Sequence, residues 1–428
     1  MSLAEALDYA RVNQPALLAA RARLAATQAD ARVPRALYLP RVAITAQVYE
    51  ATANNSTALV LATPGPDLPR IGGTRQNTAN WSPSPSTLAA VGVRQEIFDF
   101  GRIGSLELLS DALVEVDRGA ADVARLDLDL AVENAYFGVQ AAKRIRDAAE
   151  AAYQRSKTNR DAAAAGVRAE LRPMIDLTRA EADLTRFDVA RIDAVEAVFS
   201  AQAAFAAVVG VPDRALDAAG DDAESPAAPS LDAAIQGAFD RDPLIRQRLA
   251  NLDAQRATTR LMRSELLPDI SLTSTLSGRA GGATPTTGAV PEGNGWIPSV
   301  PNWDVAVVLW WPLFDGAVAA RVRASEAREL QRQREVDEVK QTLGAQVQEV
   351  YVGYEAATQA LPALRAAELA AQANYEQALT RFKAGLGTAV ELADAQNLLS
   401  QSEVNTAVGR FRLATARARL GRVIAENL

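Results

Sequence analysis

Two carboxylates near the end of the chain, Glu391 and Asp394, have the types and spacing that could bind a cation. Residues three apart in a helix lie on one face, so both side chains would point the same way. Carboxylate oxygens suit multivalent cations. Both acids also follow a turn signal at Gly385-Leu386-Gly387, and acids in a first helical turn stabilise the helix by about 0.3–1 kcal/mol each. The sequence leaves both interpretations open.

The composition removes most other chemistry. The chain of 428 residues has no Cys and no His, which excludes thiol and imidazole catalysis, disulfides and the commonest transition-metal ligands. With only three Met, it also lacks the residues of a channel dedicated to copper or zinc. The remaining acid pairs form no catalytic set, so we expect neither an enzyme nor a cofactor or metal site. A formal net charge of −7 gives no basic surface for nucleic acid.

The distribution of apolar residues predicts long helices without a membrane-spanning one. The chain is rich in Ala and only 5% aromatic, which favours closely packed helices. No run of 18 or more apolar residues occurs, so no transmembrane helix is expected. The helical pattern begins at Leu3, and we expect that a secretory leader was removed ahead of it, with Met1 and Ser2 not native.

The chain contains an internal repeat. Paired motifs recur at a nearly constant separation: Asn13-Gln14-Pro15 with Arg241-Asp242-Pro243, Leu39-Pro40 with Leu267-Pro268, Phe98-Asp99 with Phe314-Asp315, and Asp176 with Glu391. The separation falls from 228 residues in the first two pairs to 216 and 215 in the last two, which predicts a longer loop in the first repeat. We therefore expect structural repeats at residues 1–213 and 231–428, joined by an acidic, solvated linker at 214–230.

Each repeat shows the same predicted order of helices, strand, loop, strand and long helical hairpin. Alternation of apolar and polar residues predicts strands at about 41–51, 88–98, 269–277 and 302–311. The Gly- and Pro-rich segments 54–85 and 278–301 are expected to be exposed loops. Long helices follow each second strand, and apolar residues spaced four and three apart predict a coiled-coil seam. That seam comprises Leu128, Val132, Ala135, Val139 and Ala142, and again Leu343, Val347, Val350, Tyr354 and Ala357.

The last predicted strand has the pattern of a membrane-crossing strand. Its apolar residues alternate and so share one face: Trp303, Val305, Val307, Leu309 and Trp311. The two Trp would lie roughly 27 Å apart at about 3.4 Å per residue, which suits indoles at the two interfaces of a bilayer. An edge strand of a soluble sheet is the alternative.

Four such strands cannot close a barrel in lipid, where each unpaired backbone group costs several kcal/mol. Other copies must complete the barrel, and three copies would give twelve strands around an aqueous lumen. The polar side chains expected to line that lumen are Arg94, Glu96, Ser271, Thr273, Thr275 and Asp304.

The doubled order of N-x-P helix start, Leu-Pro, strand, loop, strand, Phe-Asp and helical hairpin resembles the outer-membrane efflux proteins related to TolC. Arg381-Phe382-Lys383-Ala384-Gly385 before the second turn adds to the resemblance. It implies a mainly α fold with a membrane β-barrel portion, in which a homotrimer completes a twelve-stranded barrel and a helical tunnel through the periplasm. It also implies docking to a periplasmic adaptor (membrane fusion) protein and an inner-membrane pump.

The resemblance also implies a gate at the second helical turn. In this family the acids corresponding to Glu391 and Asp394 line the periplasmic constriction, where three copies would contribute six carboxylates that favour cations. Asp176 holds the matching position in the first repeat. The family's Tyr and Arg that latch the closed state are replaced by Phe382 and Gly387, which puts that latch in doubt. Arg172, or Arg381 beside Phe382, could supply another donor.

We therefore expect a passive trimeric channel of the bacterial outer membrane, the exit duct of a tripartite efflux system for small molecules such as drugs. An outer-membrane duct of a type I protein secretion system is an alternative that differs in cargo. A soluble coiled-coil scaffold is a second alternative. Neither the cargo nor the pump class can be read from the residues, because a wide water-filled duct needs no specific pocket.

Overall fold

The computed structural model describes residues 1–52, 83–220, 228–281 and 300–426. The first repeat contains α1 Leu3–Asn13, α2 Pro15–Asp30, α3 Val33–Ala36, β1 Arg41–Thr52, β2 Pro83–Phe98, α4 Arg102–Arg168 and α5 Met174–Val209. The second contains α6 Leu231–Arg241, α7 Pro243–Ser264, β3 Asp269–Gly281, β4 Val300–Trp310, α8 Gly316–Lys383 and α9 Ala389–Val423. The same order of elements therefore occurs twice, apart from the one-turn helix α3.

Local residue choice explains where the helices begin. Ser2 caps α1 through a capping box with Glu5, and Pro15 and Pro243 occupy the first positions of α2 and α7, where a missing N–H costs nothing. The longest helices, α4 with 67 residues and α8 with 68, would each span on the order of 100 Å.

The chain divides into two compact units, and each takes segments from both repeats. Unit 1 comprises Met1–Ala25, Glu115–Leu249 and Arg334–Leu428, and unit 2 comprises Ala26–Val114 and Ala250–Gln333. The repeats of the sequence are therefore not two separately folded halves.

Unit 2 holds a four-stranded antiparallel sheet in the order β1-β2-β3-β4. The register sets Glu96 opposite Ser271 and Thr275 opposite Asp304. Residues directly opposite each other share a face, so the predicted polar residues do lie on one side of the sheet. Ser271 and Thr275 are buried on that sheltered side, whereas Val305 and Val307 are exposed on the other.

The strands run further than the sequence predicted, into segments expected to be loops. Residues 83–85, 278–281 and 300–301 are strand, while most of the two predicted loops lies outside the described residues. The prolines occupy places where pairing is incomplete. Pro83 and Pro85 pair with β1 only, because pairing with β3 begins at Ser86, and Pro301 lies in β4, which has one neighbour. Proline lacks an N–H, so it is tolerated at such positions.

Two apolar cores in unit 1 are built from the predicted seams. Leu128, Val132 and Val139 of α4 pack with Phe205 and Val209 of α5. In the second repeat, Leu343 and Val347 of α8 pack with Leu420, Val423 and Ile424 at the end of α9. The coiled-coil pattern therefore marks the buried side of both long helices.

One described helix, α5, is long and apolar enough to cross a membrane by length and composition alone, with 28% of the apolar window buried. The sequence prediction of no such helix counted unbroken apolar runs, and polar residues such as Gln202 interrupt this one. Phe205 and Val209 at its C-terminal end are buried in the core around α4, as in a packed helix.

The first residues of the linker between the repeats pack against the helices, which corrects the expectation of a solvated linker for this part. Lys143 of α4 donates to Asp217 at 2.9 Å, and this hydrogen bond lowers the pKa of the Asp217 carboxyl. The Tyr136 hydroxyl donates to the carbonyl of Ala219 at 2.7 Å, and Ala218 is buried. Residues 221–227 lie outside the described chain.

Candidate functional site at the helical turns

The two turns that close the long hairpins have the same backbone plan. Between α4 and α5, the Leu171 N–H donates to the Gly166 carbonyl at 2.9 Å, and between α8 and α9 the Leu386 N–H donates to the Arg381 carbonyl at 2.9 Å. Each turn has one left-handed residue, Glu170 with φ 56° and Gly385 with φ 77°. These positions correspond at the repeat offset of 215 residues. Glycine adopts this conformation freely, whereas a side chain at Glu170 costs roughly 1–2 kcal/mol.

Arg172 joins the two turns. Its Nη2 donates to the Phe382 carbonyl at 2.7 Å and to the Gly387 carbonyl at 3.1 Å, and its guanidinium carbon lies 3.6 Å from the centre of the Phe382 ring. A guanidinium can serve these roles together because it is planar and carries several donors in a fixed fork. The side chain thus ties the first turn to both ends of the second.

Local sequence explains how Arg172 reaches that place. Gly166 leaves space for its aliphatic stem, since a Cβ on Gly166 would lie 2.9 Å from the Arg172 Cδ. At the offset of 215, Arg172 also corresponds to Gly387. The first repeat therefore carries an arginine at the position where the second repeat has a glycine.

Asp176 forms an ion pair with Arg172 and is not grouped with the two other predicted acids. Arg172 Nη1 donates to Asp176 Oδ2 at 3.3 Å, and the two side chains are only 13% and 18% exposed. The pair spans one turn at the start of α5, where the N-cap residue Pro173 makes no side-chain cap. Asp176 supplies the acid in that first turn and orients the guanidinium at the same time.

Glu391 completes the N-terminal cap of α9. The Thr388 hydroxyl accepts the Glu391 N–H at 3.1 Å, and the Glu391 carboxylate accepts the Thr388 N–H at 3.2 Å, which is a capping box. This geometry confirms the helix-start interpretation of Glu391. Asp394 lies one turn further along α9, and both carboxylates are exposed.

The structure separates the four predicted site residues into a shielded ion pair and two exposed acids. Arg172 and Asp176 form the pair, and Glu391 and Asp394 lie on the outer face of α9, opposite the buried Leu392, Ala395 and Leu399. Arg381, the other suggested donor, is exposed and donates to Leu386 in its own turn at 3.4 Å. Of the two arginines, Arg172 is the one that bridges the turns.

A polar network under the turns escaped the sequence analysis. Asn159 Nδ2 donates to Gln396 Oε1 at 2.5 Å, the Tyr375 hydroxyl donates to Asn159 Oδ1 at 3.2 Å, and Gln396 Nε2 donates to the Ala152 carbonyl at 3.0 Å. Asn159, Tyr375 and Gln396 are buried, so these bonds fix the alignment of α4, α8 and α9. The available signal was Gln396 itself, a polar residue four after Leu392 on an apolar stripe, as polar residues set register in coiled coils.

An open cleft lies beside this network. It is lined by Ser156, Asn159, Ala163, Asp176, Arg179, Ala180, Asp183, Phe382, Ala389, Leu392, Ala393 and Gln396. Glu391 and Asp394 do not line it. Among the residues that the structure describes, no group of three or more acids is placed to hold a metal ion. A cation site at these acids would therefore need carboxylates from more than one copy.

Comparison with known proteins places nearly the whole chain in one family. The family model described as outer membrane efflux protein matches residues 6–211 and 234–426. Protein CyaE of Bordetella pertussis is 28% identical over 405 residues, which cover 93% of this chain and 78% of that protein.

Solved structures establish the fold. The outer-membrane channel OprN has a TM-score of 0.79 at 20% identity, over 99% of this chain and 89% of that one. The outer membrane protein VceC of Vibrio cholerae has a TM-score of 0.77 at 16% identity, over 99% of this chain and 95% of that one. The predicted fold class, mainly α with a membrane β-barrel portion and a duplicated helix–strand–strand–hairpin repeat, is confirmed.

Proposed function

This chain belongs to the outer membrane efflux protein family, and we propose that it is the passive exit duct of a tripartite efflux system for small molecules such as drugs. Members of this family are transport ducts of the outer membrane and not enzymes, as the sequence predicted for this chain. Membership speaks against the soluble scaffold. The trimer, the cargo, the partners and the gate are the proposal.

The observation that carries the proposal is the sheet of unit 2. It has one exposed apolar face, one sheltered polar face, and two edge strands, β1 and β4, that each have a single neighbour in the sheet. A bilayer does not tolerate such edges, because their backbone groups would remain unpaired. Three copies joined edge to edge give twelve strands, with the polar face around an aqueous lumen.

The gate in this proposal has two parts at the helical turns. Glu391 and Asp394, repeated in three copies, form a ring of six carboxylates that selects cations and binds a multivalent cation. Arg172 is the latch, because it holds the two turns of one copy together through Phe382 and Gly387. Asp176 keeps the latch oriented.

The partners in this proposal are a periplasmic adaptor and an inner-membrane pump. The two turns expose apolar side chains that no core residue covers, with Leu171 82% and Leu386 75% accessible. Exposed apolar side chains of this kind suit contact with an apolar partner surface.

Conductance in planar bilayers tests the channel and its gate together. Purified wild-type trimer should give cation-selective conductance that a trivalent cation blocks. The double variant Glu391→Ala/Asp394→Ala should assemble normally and should lose selectivity and block. Glu391 is the first-turn acid of α9 and contributes only about 0.3–1 kcal/mol to the helix, and Asp394 lies one turn further along. Arg381→Ala/Lys383→Ala, which changes two charges before the same turn, is the matched control.

The outcomes are distinct. Unchanged selectivity and block in the double variant would place the constriction elsewhere and leave these acids as helix-start residues. A soluble monomer that needs no detergent would end the channel proposal. Restored export of a secreted protein, without restored drug resistance, in a strain lacking its own duct would favour the protein-secretion alternative.

A further inference from the structure

We infer that β4 of one copy pairs with β1 of the next copy in a defined register, with Val307 opposite Val48 of the next copy and Leu309 opposite its Ala46. The inference rests on the proposed assembly of several copies and adds the residues that meet at the joint. It is drawn from the internal repeat of this chain.

The junction between β2 and β3 is the template. β1 corresponds to β3 at the offset of 228 set by Leu39-Pro40 and Leu267-Pro268, and β2 corresponds to β4 at the offset of 216 set by Phe98 and Phe314. The pairing of β2 with β3 inside the chain therefore involves the strands that correspond to β4 and to β1 of another copy. Both bring the second strand of one repeat against the first strand of the repeat that follows.

The observed register carries over residue by residue. Val91 lies opposite Leu276, and Val93 lies opposite Ser274. At an offset of 216, Val91 corresponds to Val307 and Val93 to Leu309, and at an offset of 228, Leu276 corresponds to Val48 and Ser274 to Ala46.

The faces of the two edge strands agree with this register. Val307 and Val48 are 66% and 73% exposed on the apolar side of the sheet. Pairing them keeps the apolar face continuous across the joint. A slip of one residue would set Val307 opposite Gln47 of the next copy, which belongs to the other face, and would turn a whole strand inside out.

The ends of the edge strands expose residues that their internal counterparts cover. Phe98, at the β2–β3 junction, is 53% exposed, whereas its counterpart Phe314 is 91% exposed. Leu267, just before β3, is 43% exposed, whereas its counterpart Leu39 is 63% exposed. A second copy at the open edges would cover Phe314 and Leu39 as the internal junction covers Phe98 and Leu267.

Cysteine cross-linking tests the register, because the chain has no cysteine of its own. Residues directly opposite in an antiparallel pair have Cα atoms about 4.5–5.5 Å apart, inside the range of a disulfide. Residues displaced by two already lie about 7–8 Å apart, outside it, and Ile44 is displaced by four from Val48. The test pair is Val48→Cys/Val307→Cys, and the matched off-register control is Ile44→Cys/Val307→Cys on the same face. Each single variant is made as well.

On mild oxidation in detergent, the test pair should convert most of the protein to a covalent trimer on a denaturing gel, reversed by reductant. The off-register pair and the single variants should remain mostly monomeric. Ala46→Cys/Leu309→Cys is a second matched pair, in case the first fails to assemble.

Three results would overturn the register. The first is equal cross-linking in the off-register pair and the matched pairs. The second is a covalent dimer formed by Val307→Cys alone. The third is a protein that is a trimer by light scattering but is not cross-linked by either matched pair. The last result would leave the proposed duct standing. If the wild type and every variant were monomers in detergent, the proposed assembly itself would be refuted.

Discussion

Arg172 Nη2 lies 2.7 Å from the carbonyl oxygen of Phe382, a residue 210 positions further along the chain. The same guanidinium stacks on the Phe382 ring and pairs with Asp176. One side chain therefore couples the turn of the first repeat to the turn of the second, where the proposed gate lies.

Arg172→Ala should raise single-channel conductance. The substitution removes hydrogen bonds from a charged donor, worth about 1.5–3 kcal/mol each, and frees the two turns to separate. Arg172→Lys should fall between wild type and Arg172→Ala, because an ammonium keeps the charge without the fork. Arg381→Ala is the control, since Arg381 bonds only within its own turn in the contacts seen here. Equal conductance in Arg172→Ala and wild type would remove the latch.

Charge and capping at the start of α9 can be separated. Glu391→Gln/Asp394→Asn removes two charges but keeps an acceptor for the Thr388 N–H, so thermal stability should change little while cation selectivity falls. Thr388→Ala removes the cap and keeps both charges, so it should cost about 0.5–2 kcal/mol without a change in selectivity. Melting temperature and reversal potential report the two effects. Loss of selectivity in Thr388→Ala would show that helix geometry, not charge, sets it.

The two faces of β4 should differ in their tolerance of charge. Val305 shares the exposed apolar face with Trp303 and Val307, so Val305→Arg should place a charge against lipid at a cost of about 2–4 kcal/mol near mid-membrane. Ala306 lies opposite Thr273 on the polar face, so Ala306→Arg should assemble. The measurement is the yield of trimer in outer-membrane extracts. Equal yields would refute the assigned faces.

Glu133 predicts a pH dependence of stability. Burial, and then the neighbouring Asp129, raise the pKa of this carboxyl from 4.5 to about 7. The two arginines nearby are already committed, Arg11 to Asp129 and Arg417 to Glu426. Because both guanidiniums are shared among other carboxylates, Glu133 is the carboxylate that holds a proton near neutral pH.

The sign follows from where the proton binds more tightly. The folded protein holds the Glu133 proton up to about pH 7, whereas the unfolded chain releases it near 4.5. The stabilisation is fully present below pH 4.5 and is lost as pH rises through about 7, with a span on the order of 3 kcal/mol at most. Glu133→Gln should therefore gain stability relative to wild type between pH 5 and about 8. Glu338→Gln, which changes an exposed acid of α8, should show no such trend. The measurement is the melting temperature as a function of pH. The same pH dependence in Glu133→Gln and wild type would contradict the assignment.

Periodicity alone determined the elements of this protein. Two-residue alternation marked all four strands, and spacings of four and three marked the seams that are buried in α4 and α8. These patterns are readable because a strand or helix face is set by neighbours a few residues apart. The Leu-Pro and Phe-Asp motifs located both repeats because each recurs at a nearly constant separation along the chain.

Only the tertiary structure decided which residues cooperate. The sequence offered Arg172, with Arg381 as the alternative donor. In the fold Arg172 bridges the turns, because Gly166 leaves room for its stem and the second turn presents two carbonyls to its guanidinium. Likewise, only the packing of α4 against α9 makes Asn159 the hydrogen-bond partner of Gln396. The sequence also showed two repeats, and each compact unit of the fold draws on both. Contacts between residues some two hundred positions apart depend on which helices adjoin, and local patterns carry no record of that choice.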